Sequence, residues 1–294
     1  STRKESSAAS DVYKRQFDAI VKHGKISWAA NALFISQPSL SMSLSKLEEE
    51  LGFRLLERND GMFKLTDSGG EFYHHVKLVL SIYGNMEDEV RYIRKKGRGK
   101  LKVGITETFR MVTPELFEIY LDIYNDLDIQ LTEGTTTHII NQVRTHQLHF
   151  GLTTLNYKED GMESNFLGQN VYSVLVHTDF PLEIAKLEEL SAYTLIFIEN
   201  SSVLNKFLQE NNLKFRNIIR VDTIGTAVRL VKKDLGFAVI PEFYAKNYTD
   251  DDVKSINLQH DLKSPDLYLS FMKDRHFSPV IEDCIKMTRE YLLV

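Results

Sequence analysis

The sequence predicts an α/β protein made of an N-terminal winged helix-turn-helix, a long linker helix and a two-part α/β region. Its observations fall in three stretches. Short helices followed by an Asp-Gly hairpin fit between Val12 and Leu65. A regular apolar heptad runs from Phe72 to Ile93. After a basic, glycine-containing run, short apolar strands alternate with amphipathic helices to the end of the chain. The length of 294 residues fits this division, being too long for one comfortable core.

Val12, Phe17, Ile20 and Val21 recur at helical spacing, and His23-Gly24 ends the first helix. Ser27 to Leu33 reads as a second helix with Ser27 as N-cap. Its Ala29-Ala30 pair leaves room for a crossing helix. Phe34-Ile35 make the turn. Ser36 caps a third helix, Pro38 falls in its first turn, and Leu40, Leu44, Leu47 and Leu51 give it one buried face. The opposite face carries Gln37, Ser39, Ser41, Met42, Ser43, Ser45 and Lys46. Gly52 stops the helix. Phe53 to Leu56 and Met62 to Leu65, around an Asn59-Asp60-Gly61 tip, read as a hairpin, the wing.

Thr66-Asp67-Ser68 caps the next helix. Phe72, Val76, Val79, Tyr83, Met86, Val90 and Ile93 follow at steps of four and three. That seam predicts a coiled-coil partner, hence dimerisation; the competing reading is a helix packed on its own domain. Lys95 to Lys100, with Gly97 and Gly99, is a hinge whose basic side chains either touch phosphate or are simply solvated.

Beyond it, strands at Leu101–Ile105, Ile129–Glu133 and Phe150–Thr154 alternate with helices at Thr113–Tyr124 and His138–Thr145. A second set begins at Val171–His177 and continues with strands at Leu195–Glu199, Ile218–Val221 and Phe237–Ile240, and helices at Val203–Glu210 and Thr226–Asp234. A last strand at Leu267–Met272 and a helix from Pro279 to Leu293 return to the first set. Mostly parallel sheets are expected. The domains are then 1–66, 67–96 for the linker helix, 97–100 for the hinge, and 101–294. The last divides into one subdomain of about 101–167 with 266–294, and another of about 168–265.

The formal charge is −5, with 43% apolar and 26% charged residues, ordinary for a globular protein. The charge is uneven: residues 1–66 hold ten Lys/Arg against eight Asp/Glu, and 91–102 hold seven basic residues and no acidic one. A lone cysteine, Cys284, rules out internal disulfides and fits a cytoplasmic protein; on its amphipathic helix it reads as a buried structural thiol. No apolar run approaches a membrane span, and residues 1–10 lack a signal-peptide core and are expected to be disordered. No Walker loop, GxSxG, HExxH or Cys/His metal spacing is present, so neither catalytic residues, metal nor cofactor are expected. His74-His75 read as solvated.

Phe17, Ala29-Ala30, Leu33, Ser36-Gln37-Pro38-Ser39, Ser41, Leu47-Glu48, Leu51-Gly52, Arg58 and Leu65-Thr66 with Gly69 closely resemble the signature of LysR-type transcriptional regulators. Leu101-Lys102-Val103-Gly104, Gln147-Leu148 and Leu235 to Pro241 resemble that family's effector domain, so the resemblance spans 12–294. It implies a periplasmic-binding-protein-like effector domain with a ligand cleft between subdomains. It also implies dimers through the linker helices, commonly assembled as tetramers, acting on double-stranded DNA and contacting RNA polymerase. Departures are Met42 for a polar or basic residue, Lys25 for a serine, Asp60 at a wing tip that is often basic, and His149 for an aspartate.

The exposed face of the third helix assigns DNA contact to Ser36, Gln37, Pro38, Ser39, Ser41, Met42 and Lys46, because short polar groups let a helix approach base edges. Arg58 and Lys64 of the wing are candidates for phosphate. Ligands of doubly wound sheets sit at strand carboxyl ends near helix N-termini. That rule selects Thr106, Thr108, Phe109, Thr135, Thr136, Thr154, Ser201, Asp222 and Thr223; by resemblance Thr108, Thr135, Thr154 and the 222–223 pair line the cleft. Such donors suit a small-molecule effector that is a carboxylate or another small polar anion; plain N-capping would use the same residues. The reading is a ligand-responsive DNA-binding regulator. Its rivals are a solute-binding protein, opposed by residues 1–66, and an α/β enzyme, which has no motif in its favour.

Overall fold

The computed structural model describes residues 2–59, 62–95, 99–157, 161–199, 202–248, 250–259, 262–273 and 275–293. They group into two compact units, one of residues 1–94 with 145–147, the other of the remainder.

In the first unit, α1 (Thr2–His23), α2 (Ile26–Ala32) and α3 (Gln37–Leu51) precede the hairpin β1 (Leu56–Asn59)–β2 (Met62–Leu65) and the long helix α4 (Asp67–Lys95). Helix α1 starts at Thr2, not at Val12, which corrects the expectation of disorder over 1–10. No Gly or Pro interrupts the chain before Gly24, so the helix extends outward at little cost. Gly24 then ends it in the left-handed region at φ 67°. Ser27 is not the cap of α2. Lys25 holds that position without a side-chain hydrogen bond, since its extended backbone already turns the chain. The first wing strand begins at Leu56 rather than Phe53, and pairs Leu56 with Leu65 and Asn59 with Met62. The tip, Asp60-Gly61, lies outside the described residues.

The core of this unit is Phe17, Ile20, Ala29, Ala30, Leu40, Leu44, Leu47 and Leu55, with Val76 of α4. The Phe17 ring meets Phe72 and Tyr73, each at a centroid distance of 5.8 Å.

The second unit has β3 (Lys100–Ile105), α5 (Thr113–Ile123), β4 (Asp128–Glu133), α6 (Thr136–Arg144) and β5 (Phe150–Thr153), then β6 (Met162–His177) and β7 (Ile184–Ala185). It continues through β8 (Thr194–Ile198), α7 (Ser202–Glu210), β9 (Asn217–Val221), α8 (Ile224–Val231), β10 (Phe237–Pro241), α9 (Glu242–Lys246), β11 (Val253–Leu258), β12 (Lys263–Met272) and α10 (Pro279–Leu292). The strand order is β4-β3-β5-β12-β6-β10-β8-β9, with β11 also on β6. Each lobe carries a parallel trio, β4-β3-β5 or β9-β8-β10. The trios are joined by antiparallel β6 and β12, so the sheet is mixed rather than mostly parallel.

Strand β6 is 16 residues long and serves both lobes. Its residues 162–171 pair with β12, and 172–175 pair with β10. The expected boundary at 167/168 therefore falls inside one continuous strand. The apolar run of Val171–His177 shows only the half of β6 buried in the second lobe. Elements β7, α9 and β11 have no counterpart in the sequence reading, being too short or too interrupted by charge to show a period.

Helix α10 packs Ile281, Cys284, Thr288 and Leu292 inward. Burial, then the neighbouring Asp283, push the Cys284 thiol up to about 12, which leaves it unreactive at neutral pH. His149 is buried, and its Nδ1 accepts the Lys102 N–H at 3.0 Å. The residue expected there from the resemblance is an aspartate; in this chain the imidazole nitrogen supplies an uncharged acceptor.

Burial, followed by the positive charges of Arg275, Lys102 and Lys100, holds the His149 imidazole well below its usual 6.5. The unfolded chain takes up a proton as pH falls through about 6.5, while the folded chain does not, so this contribution is present above that pH and lost below it. The urea midpoint is expected to drop from pH 7 to pH 5 more steeply in the wild type than in His149→Asn, whose amide oxygen can still accept from Lys102. Equal slopes in urea titrations at the two pH values would show that His149 carries none of the dependence.

Candidate functional site

The exposed face of α3 is built by local chemistry. Ser36 caps the helix by accepting the Ser39 N–H at 3.3 Å, and Pro38 sits in the first turn. Leu40, Leu44 and Leu47 point into the core. Ser36, Gln37, Pro38, Ser39, Ser41, Met42 and Lys46 are all exposed, Met42 to 73%. Ser43 is less available, since its hydroxyl donates back to the Ser39 carbonyl at 3.0 Å. Lys46 lies over the Tyr13 ring, 5.5 Å from its centroid, and the Tyr13 hydroxyl and charge, then Glu50, raise its pKa. Lys25, the departure on α2, lies 4.6 Å over Trp28.

The wing is fixed to α3 by one carboxylate. Glu48 Oε1 accepts the Leu55 N–H at 2.7 Å and the Leu56 N–H at 3.2 Å. Thr66 closes the other end: its hydroxyl donates to Arg54 O at 2.8 Å and accepts Gly69 N–H at 2.9 Å. A Cβ on Gly69 would lie 1.9 Å from Leu55 O, which explains a glycine inside a helix. Lys64 is exposed and stands opposite Glu57 in the hairpin register. The Arg58 side chain lies outside the described residues.

The expected seam on α4 divides. Val76 is buried and Phe72 half-buried in the core of the unit itself, which corrects their placement on a partner surface: the rings of Phe17, Phe72 and Tyr73 must be covered by the first turns of α4. Val79, Tyr83, Met86 and Val90 are exposed, together with Ile82. The Ile93 side chain lies outside the described residues.

In the second unit, strand carboxyl ends from both lobes meet around a cavity of about 500 Å³. Thr106 and Thr108 follow β3, Thr135 and Thr136 follow β4, Thr154 follows β5, and Asp222 and Thr223 follow β9; all line it. Phe109 does not. The turn of 3-10 helix at Glu107–Val112 rotates its ring into the core, 5.5 Å from Phe243. Ser201 lies outside the described residues. Two of the threonines do act as caps: Thr135 Oγ1 accepts His138 N–H at 3.3 Å, and Thr223 Oγ1 accepts Thr226 N–H at 3.2 Å. Thr136 and Thr154 share a hydroxyl contact of 3.3 Å. Thr106 differs: it is only 7% exposed, and its Oγ1 has no hydrogen-bond partner among the described residues.

The sequence reading missed the charges of this cleft. Glu107, Arg110 and Glu133 line it. The Arg110 guanidinium binds Glu107 at 3.2 Å and, through its other nitrogen, Glu133. Glu107 also reaches across to α8 and accepts the Gly225 N–H at 3.2 Å. The usable signal was the position of Glu133 at the last residue of a strand and of Glu107 just after one. Tyr172 of β6 and Ser264 of β12 complete the wall from the crossing strands. Among the described residues, no cluster of His, Cys, Asp or Glu could hold a metal ion, and no helix is long and apolar enough to cross a membrane.

A winged helix-turn-helix with a polar recognition face, continued in one chain by a two-lobed domain with a polar cleft, defines a ligand-responsive transcriptional regulator. The chain belongs to the LysR family: residues 15–70 match the bacterial regulatory helix-turn-helix protein, lysR family, and 94–293 match the LysR substrate binding domain. It is thus a DNA-binding regulator and not an enzyme. Similar proteins include the RuBisCO operon transcriptional regulator of Allochromatium vinosum, 23% identical over 77% of each chain. The probable cat1 operon transcriptional activator of Acinetobacter lwoffii is 26% identical over 91% of this chain and 87% of that one. Among solved structures, the LysR regulator CbnR superposes with a TM-score of 0.70 at 20% identity, covering 96% of this chain and 99% of its own. Full-length CbnR complexed with its target DNA gives 0.69 at 21% identity, over 95% and 99%.

Glu48→Ala is expected to destabilise the N-terminal unit by about 1–3 kcal/mol, because two backbone donors lose their acceptor. Glu48→Gln keeps an oxygen there and costs less. Thermal unfolding of both variants checks this; an alanine variant as stable as the wild type would show that the wing is held by packing alone.

Proposed function

We propose that this regulator reads double-stranded DNA through the exposed face of α3, with Gln37, Ser39, Ser41 and Met42 at base edges. Gln37 can pair with adenine through two hydrogen bonds, and Met42 offers only apolar contact to a thymine methyl. Lys46 is a further candidate for base edges, Ser36 and Pro38 set the first turn that approaches the DNA, and Arg58 and Lys64 of the wing contact phosphate. The observation that carries the reading is the asymmetry of α3. Its leucines are consumed by the core, and Gln37, Ser39, Ser41 and Met42 stay exposed on the opposite face.

The chain acts in the cytoplasm as a homodimer paired along α4 from Val79 to Ile93, with tetramers as the further assembly and RNA polymerase as a partner at the promoter. A small polar effector, of carboxylate character, enters the cleft beside Thr106, Thr108, Thr135, Thr136, Thr154, Asp222 and Thr223. It changes the angle between the lobes, and with it the spacing of paired recognition helices or the bend of the DNA. The domain roles follow from this: DNA reading in 1–66, pairing in 67–96, sensing in 101–294.

A mobility-shift assay on upstream DNA tests the core of the proposal; no sequence preference at moderate salt would overturn it. Val79→Glu combined with Met86→Glu touches no DNA contact, yet is expected to give a monomer with DNA affinity reduced at least about a hundredfold, since two linked sites gain that much by effective concentration. A monomeric variant that binds as tightly as the wild type would refute pairing through α4.

A further inference from the structure

Resting on the reading that the exposed face of α3 meets DNA, we infer that Phe34, in the turn before that helix, is a further DNA-contact residue. Its ring packs on an apolar part of the duplex, a thymine methyl or a deoxyribose. The end of α2 explains why the residue stands out. The Ile35 N–H donates to the Ala30 carbonyl at 3.0 Å, and the Phe34 N–H donates to the Asn31 carbonyl at 3.2 Å. With Leu33 as C-cap, this is a Schellman ending, which needs a left-handed residue at position 34. Phe34 takes that conformation at φ 56°. Glycine adopts it without steric cost and asparagine at little cost, whereas a bulky side chain is strained there. The same unit ends α1 with Gly24 at φ 67° and α3 with Gly52 at φ 77°. Of these three helix ends, only the one that leads into α3 carries a phenylalanine.

The ring has no use within its own unit. Phe34 is 96% exposed, the most exposed large apolar side chain among the described residues. The apolar contact that accompanies a Schellman ending is made by the next residue, Ile35, which packs on the core. A phenyl ring that stays in water adds nothing to stability, and its backbone conformation costs some. Its position then says which outside surface it meets. Phe34 stands two residues before Ser36, the N-cap of α3, so the two Cα atoms are at most about 7 Å apart. A recognition helix presents its N-terminal residues to the base edges. The chain just before that end runs beside the sugar–phosphate rim of the groove. A phenyl held there reaches a deoxyribose, or the C5-methyl of a thymine, the apolar group that a base pair presents in the major groove.

Phe34→Asn in the full-length protein tests this, because asparagine tolerates the left-handed turn and removes the ring. The probe is the duplex that the wild type enriches from a random-sequence pool. The variant is expected to unfold at the same temperature as the wild type or higher, to keep its oligomeric mass, and to bind the duplex about tenfold more weakly. Its salt dependence is expected to match that of the wild type, since no phosphate charge contact is lost. Deoxyuridine in place of thymine removes only the methyl and separates the two contacts. A smaller effect of that replacement in Phe34→Asn than in the wild type assigns the ring to thymine; equal effects assign it to deoxyribose. Wild-type affinity in Phe34→Asn, a lower unfolding temperature, or a changed oligomeric mass would each overturn the inference, the last two because the ring would then serve the fold or a second copy of the chain. Gln37→Ala combined with Ser41→Ala separates the inference from its parent. If that double variant binds like the wild type, or if the wild type enriches no duplex, the α3 face does not read DNA and both fall. If the double variant binds more weakly while Phe34→Asn does not, only the Phe34 contact falls.

Discussion

Helix α4 carries the constraint on which the use of the molecule depends. Its first turns are structural, since Phe72, Val76 and Tyr73 cover the Phe17 side of the helix-turn-helix core. Its later turns leave Val79, Ile82, Tyr83, Met86 and Val90 uncovered. Each such side chain is worth roughly 1–3 kcal/mol when fully buried. On the proposed reading a second copy covers them, so that one helix ties the integrity of the DNA reader to the surface that recruits a second reader.

That division of labour suits the weak electrostatics of the N-terminal unit. Ten basic against eight acidic residues over 1–66 give little general attraction for phosphate. Lys64 stands opposite Glu57 in the wing, and the exposed face of α3 carries an apolar Met42. On the proposed reading, discrimination comes from a few short polar side chains and affinity from joining two such faces. In the second unit the same economy appears as two strands, β6 and β12, shared by both lobes. Any change of angle between the lobes must pass through that ladder, beside the wall that Tyr172 and Ser264 give the cleft.

Much of this was legible in the residues. Ser36 with Pro38, Gly24 and Gly52 mark helix ends by capping and left-handed turns, which are local events written locally. The leucine spacing of α3 is a 3.6-residue period over a long enough run to be unambiguous. The wing strand was misplaced because Phe53 and Leu55 are as apolar as a strand, while the hydrogen bonds from Leu55 and Leu56 to Glu48 decide where pairing begins. Continuity of β6 was hidden because Met162–Gly168 is polar enough to read as loop, and its partner β12 lies about a hundred residues away in sequence. Threonines of the cleft were found from a rule about strand ends. Its charges were not, because a carboxylate at a strand end looks like any surface acid until Arg110 is seen between two of them. Phe72 and Val76 failed for a related reason: a heptad does not say which of two apolar surfaces each residue faces.

A native mass spectrum of the gently purified full-length protein tests the central claim most directly, because it reads assembly without DNA, effector or substitution. The account predicts even multiples of the chain mass at micromolar concentration. A single-chain mass throughout the accessible concentration range would contradict it.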